Sequence, residues 1–205
     1  VNILIAVREI YSESSKAHSM LMALSVLTLQ WQLIGRIDDI MQLQTSTVLF
    51  NVRDSFTLHI KMSWSKNIRT EMQSPTQILI AAMDPIICPL LNLVVYMETF
   101  GGHAGGLMFD YSKKTTTNLI DEILASSNFR AQRAGRVGTH SFRKGSATYA
   151  SRFGLPKDWV NLRGRWSMAP DWALTLRLNN ALDRDYADRA DFAFGSYRYG
   201  RYAGR

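Results

Sequence analysis

The sequence predicts an α+β fold, in which a mainly helical body with a small antiparallel three-stranded sheet is followed by a β-prone C-terminal tail. Apolar residues recur at helical spacing in several segments, first at Met20, Leu21, Leu24 and Leu27. Residues 46–82 instead contain short alternating runs separated by polar turn residues, a pattern typical of antiparallel strands. A hydrophobic content of 46% is sufficient for a core in a chain of 205 residues.

Two helices are predicted near the N-terminus. Ser14 and Ser15 can accept hydrogen bonds from the free backbone N–H groups of a first turn, so they are expected to cap a helix that runs toward Gln30. A second helix is expected from Arg36 to about Leu43. This helix would place any functional side chain of its first turn directly after the loop that joins the two helices.

The sheet and the next helix follow in order. Over residues 46–82, the alternation is interrupted by polar pairs at residues 53–54 and 66–67, which predicts two hairpin turns. Pro85 follows an aspartate and suits the first position of a helix, where its missing N–H is not needed. We expect that helix to continue to Met97.

Three further helices complete the predicted body. The first covers residues 115–124. Glycines then precede a helix that is expected to direct Ala147, Tyr149 and Ala150 toward the core. Pro156 is predicted to open the last helix of the body.

The most informative motif lies at the start of the second of these helices, in residues 138–145 (GTHSFRKG). His140 and Arg143 are three residues apart, so a helix places both on one face. A guanidinium matches the geometry of a phosphate oxyanion, and an imidazole can transfer a proton near neutral pH. The alternative is an ordinary helix start with a surface histidine and arginine.

Other segments supply what a phosphodiester-handling site needs. Arg36 is a second arginine with a carboxylate, Asp39, three residues later. Lys66 lies in the predicted second hairpin turn, where a long flexible amine can reach outward. After the histidine–arginine helix comes the segment LRGRW, which contains Arg165 and Trp166.

In this order, the elements resemble the catalytic domain of tyrosine recombinases, the phage-integrase family. The segments THSFRKG and RGRW resemble those of recombinase-like proteins of eukaryotic mobile elements. The resemblance covers residues 15–168, and it implies that residues 1–168 form one catalytic-type domain without the family's N-terminal DNA-clamping domain.

The resemblance also implies roles for individual residues. Arg36 and Arg143 would hold the non-bridging oxygens of the scissile phosphate and stabilise the charge that grows in the transition state. Lys66 would protonate the leaving 5′ oxygen, with Lys61 as a lower-ranked substitute on the strand. His140 would act as an acid or base. The resemblance implies no metal and no other cofactor.

Two more residues complete the implied site. Trp166 would fill the family's second His/Trp position, where it packs and donates its indole N–H. Asp39 would orient the site without taking part in the chemistry. Each residue also has a simpler interpretation: Arg36 and Asp39 as a helix ion pair, Lys66 as a solvated turn residue, and Trp166 as ordinary core.

The nucleophile that the family requires is missing from its usual place. A tyrosine hydroxyl must attack phosphorus, about nine or ten residues beyond the His/Trp position. That count reaches Thr175 and Leu176. Tyr186 could serve from further along, or another subunit could supply a tyrosine. We favour a third interpretation, in which the chain is cleavage-impaired.

Residues 169–205 form a tail of different character. The stretch contains no lysine and no glutamate, and Trp172, Leu174, Leu176 and Leu178 alternate with other residues as in a strand. The words LRLNNALDRDY and DFAFGSYRY resemble the last strands of TonB-dependent outer-membrane receptors. Unpaired strand edges are not tolerated in lipid, so no membrane role is predicted. The tail is expected to be a foreign-looking addition, whether a natural fusion, an artefact or a deliberate fusion. The alternative is an ordinary β-rich extension that merely shares the pattern.

The charge balance indicates a polyanionic partner. The net charge is +7, and basic residues cluster around the histidine–arginine motif. The residues predicted to contact DNA phosphates are Arg130, Arg133, Arg136, Lys144 and Arg165.

The sequence therefore predicts a protein that binds double-stranded DNA, alone or as a homo-oligomer on the DNA. It would be related to enzymes that recombine and integrate DNA, and it would work inside the cell, in the nucleus if the host is eukaryotic. The alternative is a noncatalytic interaction protein, or a chimeric fragment, with an idle phosphate-binding site.

Overall fold

The structure is a computed structural model that describes residues 2–11, 13–64, 76–100, 106–130 and 137–166. These described residues contain eight α-helices and three strands. The helices are α1 Asn2–Ile10, α2 Ala17–Gln32, α3 Ile37–Met41, α4 Pro89–Phe100, α5 Lys113–Ala125, α6 Ser127–Arg130, α7 Thr139–Arg152 and α8 Lys157–Gly164. The strands are β1 Val48–Phe50, β2 Thr57–Lys61 and β3 Thr76–Ile80.

Helix α2 is the centre of the body. Every residue from Met22 to Gln30 is buried, because α1, α3, α4, α5 and α7 all pack against it. A helix that is apolar on all sides must be enclosed in this way. Its buried hydroxyl groups have hydrogen-bond partners: Ser25 Oγ donates to the carbonyl oxygen of Asn92 in α4 at 2.8 Å, and Thr28 Oγ1 donates to that of Leu24 in α2 itself at 2.7 Å. The central helix therefore gives the rest of the fold a rigid support.

Helix α1 adds a layer that the sequence patterns did not predict. It packs against α2 and α5, and Leu4 and Val7 are buried in the main core. In the described parts of the chain, no helix is long and apolar enough to cross a membrane. The apolar N-terminal residues thus serve the core.

The three strands form an antiparallel sheet in the order β1-β2-β3, as predicted. Ile60 and Leu79 are buried on its inner face, whereas Leu49 and Ile78 are exposed on the other face opposite His59. The first predicted turn is present between β1 and β2, where the side-chain oxygen of Asn51 accepts a hydrogen bond from the backbone of Arg53. The second predicted turn, with Lys66, lies outside the described residues.

Two helix starts differ from the prediction. Helix α2 begins at Ala17 after a short 3₁₀ turn, with Lys16 at its N-cap in place of Ser14 or Ser15. Helix α4 begins at Pro89, because the carboxylate of Asp84 accepts the backbone N–H of Ile86 at 2.8 Å and holds the preceding residues in a turn. Helix α4 therefore starts with a proline, but four residues later than the predicted Pro85.

The last two helices carry the motif segments. Gly138 caps α7, and Ala147 and Ala150 are buried beside Ile34 and Val160, as expected. The prediction for Tyr149 is wrong, because its side chain is 52% exposed and stacks on neighbouring aromatic rings. Pro156 precedes α8 as predicted.

Candidate phosphate-binding site

Arg36 reaches the site through an unusual turn at the end of α2. Ile34 has a φ of +49°, in the left-handed region that costs a β-branched residue about 1–2 kcal/mol. Gly35 follows, and a Cβ atom there would lie 2.9 Å from the side chain of Ile40. The turn places Arg36 at the N-cap of α3. Its half-buried side chain has one buried nitrogen, Nη1, with no hydrogen-bond partner among the described residues.

Arg143 is held from the first half of α7, and it is only 5% exposed. Two contacts dock this helix on α2: the amide of Gln30 donates to the carbonyl oxygen of Thr139 at 3.0 Å, and Ser146 Oγ donates to that of Trp31. The Nη2 group of Arg143 donates to the carbonyl oxygen of Gly164. Its Nε atom is buried and has no partner in the described part of the chain.

The charge of Arg36 acts on Arg143. Burial, and then the positive charges of Arg36 and Arg165, lower the pKa of Arg143 to about 10, while the carboxylate of Asp39 acts in the opposite direction. Charges affect a pKa in this way only at short range. The fold therefore brings Arg36 and Arg143, which are far apart in the sequence, to the same place.

Asp39 and Arg165 form a buried ion pair at this place. Arg165 Nη2 lies 2.7 Å from Asp39 Oδ2, and the side chains are 4% and 1% exposed, respectively. The same carboxylate oxygen accepts the backbone N–H of Arg36 at 3.1 Å. Asp39 thus links the first turn of α3 to the end of α8.

Trp166 lies against Arg143. The centre of its ring is 4.6 Å from the guanidinium carbon of Arg143, a distance suited to a cation–π contact. Gly164 makes room for the ring, since a Cβ atom there would lie 2.5 Å from it. The tryptophan and the carbonyl of Gly164 together fix the orientation of the Arg143 guanidinium.

The remaining predicted residues occupy three kinds of position. His140, Lys144 and Arg130 are exposed, the first two on α7 close to Arg143. Arg165 was predicted to contact DNA, but its guanidinium is buried against Asp39. Four predicted residues lie outside the described residues and are not placed: Lys66, Arg133, Arg136 and Tyr186.

Arg163 is a partly buried arginine whose role the sequence did not reveal. Its Nε donates to the carbonyl oxygen of Gln32 at 3.0 Å, and its Nη2 donates to that of Ile78 at 2.6 Å. Burial, and then the charge of Arg165, lower its pKa to about 10. These contacts join α8 to α2 and β3. The sequence signal was only another arginine in LRGRW, which cannot distinguish a structural contact from a binding contact.

The site can bind an anion. It combines three guanidinium groups with one carboxylate, so its net charge is positive. Buried N–H donors without partners are rare, and a phosphate oxygen would satisfy those of Arg36 and Arg143. Among the described residues, no group of three or more His, Cys, Asp or Glu side chains could hold a metal ion.

Comparison with known proteins identifies the fold. No family model and no curated protein matches the chain. The structure is similar to FLP recombinase in a Holliday junction complex, with a TM-score of 0.62 and 14% identity over 100% of this chain and 53% of that one. It is also similar to the XerH site-specific recombinase bound to difH substrate in a pre-cleavage complex, with a TM-score of 0.56 and 15% identity over 79% of this chain and 43% of that one.

This chain thus spans about half the length of those two recombinases. The mostly helical body with its small antiparallel sheet is the fold of a tyrosine recombinase catalytic domain, and the predicted fold class is confirmed.

Proposed function

We propose that this chain is a tyrosine-recombinase-like protein that binds double-stranded DNA by holding a backbone phosphate between Arg36 and Arg143. One observation carries the proposal: Arg36 and Arg143 come from distant parts of the sequence, yet both lie in the surroundings of Asp39, where the positive charge of Arg36 helps to lower the pKa of Arg143. Burying like charges together is unfavourable unless an anion joins them. A phosphodiester is the anion that suits a basic protein of this fold.

The free donors define how the phosphate is held. Arg143 already gives Nη2 to the carbonyl of Gly164, which leaves Nε for a non-bridging oxygen. Arg36 offers Nη1 to the same phosphate. Charge-assisted hydrogen bonds of this kind are about twice as strong as neutral ones. The two arginines would stabilise a negative charge that develops on phosphorus during strand cleavage in an active relative.

The other predicted residues are proposed to surround this phosphate. His140 is exposed one turn before Arg143, so it can approach a substrate oxygen from the solvent side. Trp166 holds the Arg143 guanidinium in place. Lys66 is proposed to approach the leaving oxygen from its hairpin, and Lys144 and Arg130 are proposed to contact flanking phosphates. More than one copy of the chain is proposed to assemble on the DNA.

The chain is proposed to be impaired in cleavage. Residues 167–185 contain no tyrosine, and Thr175 and Leu176 stand where the family resemblance expects the nucleophile. Neither residue can form the phosphotyrosyl link. Under this proposal, residues 1–168 form the DNA-binding body, and residues 169–205 form a foreign tail that adds no catalytic group.

DNA binding tests the first part of the proposal. Fluorescence anisotropy with a labelled duplex would compare the wild type, a variant with both Arg36→Ala and Arg143→Ala, and Arg53→Ala. Arg53 is exposed in the turn after β1 and serves as a matched loss of charge. We expect the double variant to lose about a hundredfold in affinity and Arg53→Ala to lose about twofold.

A suicide substrate tests the second part. A duplex with a nick beside the cleavage site traps the covalent intermediate of an active enzyme, because the short released strand diffuses away. We expect no covalent adduct on a denaturing gel. A trapped adduct would overturn the proposal of impaired cleavage, and the variant Tyr186→Phe would then show whether that tyrosine is the donor or a tyrosine comes from another subunit.

A second candidate, a noncatalytic interaction protein, draws support from exposed apolar side chains in the sheet and in the turn after β1. Phe50 is 80% exposed, Phe56 is 70% exposed and Ile80 is 56% exposed. Exposed apolar clusters of this kind often mark protein contacts. Equal DNA affinity of the wild type and the Arg36→Ala, Arg143→Ala variant would favour this candidate over the first.

A further inference from the structure

The carboxylate of Asp39 lies in the arginine site and is almost completely buried. One of its oxygens, Oδ2, is shared between the Arg165 guanidinium at 2.7 Å and the backbone N–H of Arg36 at 3.1 Å. The other oxygen, Oδ1, is buried and has no hydrogen-bond partner among the described residues. A negative charge is thus available next to the two arginines that are proposed to hold DNA.

This carboxylate competes with a phosphate. Its charge already acts on Arg143 and favours the charged form of that side chain. An uncompensated buried carboxylate would attract the guanidinium groups of Arg36 and Arg143 and repel an incoming phosphate. Arg165 compensates this negative charge, since its guanidinium makes a charge-assisted hydrogen bond to Asp39.

The backbone conformation of Arg165 supports the role of its side chain as the partner of Asp39. Its φ is +51° and its ψ is +34°, in the left-handed region that glycine occupies at no cost and other residues avoid. An arginine at the end of α8 is therefore unfavourable for the chain conformation. The conformation is compatible with a side chain that reaches Asp39, and the ion pair offsets the strain.

We propose that Arg165 is a positioning residue that neutralises Asp39 and leaves Arg36 and Arg143 free to hold the phosphate. Arg165 acts through Asp39 and does not contact DNA, unlike its role in the sequence-based prediction. This inference rests on the proposed DNA-binding function and adds the charge arrangement that makes the site selective for an external anion over its own carboxylate.

A double-mutant cycle tests the inference. The proteins are the wild type, Arg165→Gln, Asp39→Asn, and the variant with both changes. Each is titrated with the same labelled duplex at several salt concentrations. We expect Arg165→Gln to lose about tenfold in affinity, because the bare carboxylate then engages the other arginines. We expect the double variant to bind several-fold more tightly than Arg165→Gln, since the competing charge is gone.

The salt dependence supplies a readout that a purely structural role would not change. The slope of log affinity against log salt concentration falls by about 0.9 for each lost phosphate contact. We expect the double variant to keep the slope of the wild type, because Arg165 makes no phosphate contact. A slope reduced by about one, with no recovery of affinity in the double variant, would overturn the inference and assign Arg165 to DNA.

Folding is controlled with a second pair of variants. Arg165→Gly removes the side chain and also relieves the left-handed strain, so it keeps the cycle measurable if Arg165→Gln unfolds. The same recovery is expected when Asp39→Asn is added to it. Salt-dependent binding by the wild type without recovery in either pair would refute this inference alone. Wild-type affinity equal to that of the Arg36→Ala, Arg143→Ala variant would refute the proposed function itself.

Discussion

Arg163 lies in α8 and Arg143 in α7, and the contrast between them shows how a structural arginine differs from one proposed to bind a phosphate. Arg143 is buried and Arg163 is partly buried, and the loss of solvation lowers the pKa of each to about 10. Arg163 gives two of its nitrogens to the carbonyl oxygens of Gln32 and Ile78. Arg143 keeps a buried Nε without a partner in the described structure. The pKa alone does not distinguish the two arginines, whereas the donor without a partner does.

The largest predicted effect concerns the structural arginine. Arg163→Met should lower the free energy of unfolding by about 2–3 kcal/mol, because two carbonyl acceptors lose their charged donor. Arg143→Met should lower it by less than about 1 kcal/mol, since that change also removes repulsion from Arg36 and Arg165. Urea denaturation followed by circular dichroism would measure both. Equal losses would break the distinction between the two arginines.

For DNA binding, the relative size of the two effects is reversed, and Arg143→Met should have the larger one. Arg143→Met should weaken duplex affinity about tenfold or more at fixed salt, because a charge-assisted phosphate contact is lost. Arg163→Met, assayed at a temperature where it is folded, should change the affinity less than threefold. Anisotropy titrations of the two proteins would provide the comparison. A larger loss for Arg163→Met would place the binding surface at Arg163 and not at Arg143.

A smaller effect is expected from changing the support of Arg143. In Gly164→Ala, the new Cβ atom would meet the Trp166 ring at 2.5 Å and push it away from the guanidinium. DNA affinity should fall several-fold, and stability by about 1–2 kcal/mol. Gly138→Ala is the matched control, since nothing lies within 4 Å of a Cβ there. Equal losses of affinity in the two glycine variants would contradict the support of Arg143 by the Trp166 ring.

The smallest effect is a pH dependence. Arg143 is charged below its pKa of about 10, so its contribution to DNA affinity should be constant from pH 7 to 9. The contribution should decline as the pH rises through 10, because the neutral form no longer attracts phosphate. Lysines also titrate in that range, so the test is the difference between the wild type and Arg143→Met. A gap between their affinities that stays constant up to pH 10.5 would contradict the assignment.

The sequence predicted the periodic parts of the fold well. Helix α5 shows why: Ser112 accepts the backbone N–H of Thr115 at 3.1 Å as an N-cap, and Leu119 and Ile123 recur on the buried face. The start of α4 was missed because an aspartate followed by Pro85 carries the local signal of a helix start. In the structure, the carboxylate of Asp84 instead accepts the backbone N–H of Ile86 in a turn, and the helix begins at Pro89.

The site was predictable in part. The chemistry of Arg36 and Arg143 follows from residue type and helical spacing, but their meeting depends on how α3 and α7 pack around α2. Arg165 looked like an exposed basic residue beside a tryptophan. Its burial depends on a left-handed backbone conformation at Arg165. Sequence patterns do not predict that conformation for an arginine, because such positions favour glycine. The prediction that Tyr149 points toward the core failed because its neighbours Ala147 and Ala150 already fill the buried face of α7.

The most direct test of the central claim is a double-mutant cycle on DNA affinity between Arg36 and Arg143. If both guanidinium groups hold one phosphate, each single alanine variant should lose most of the binding free energy that the two arginines contribute together. The combined loss should then be smaller than the sum of the single losses by about 1 kcal/mol or more. Strictly additive losses would mean that the two arginines bind different groups, and the shared phosphate site would be refuted.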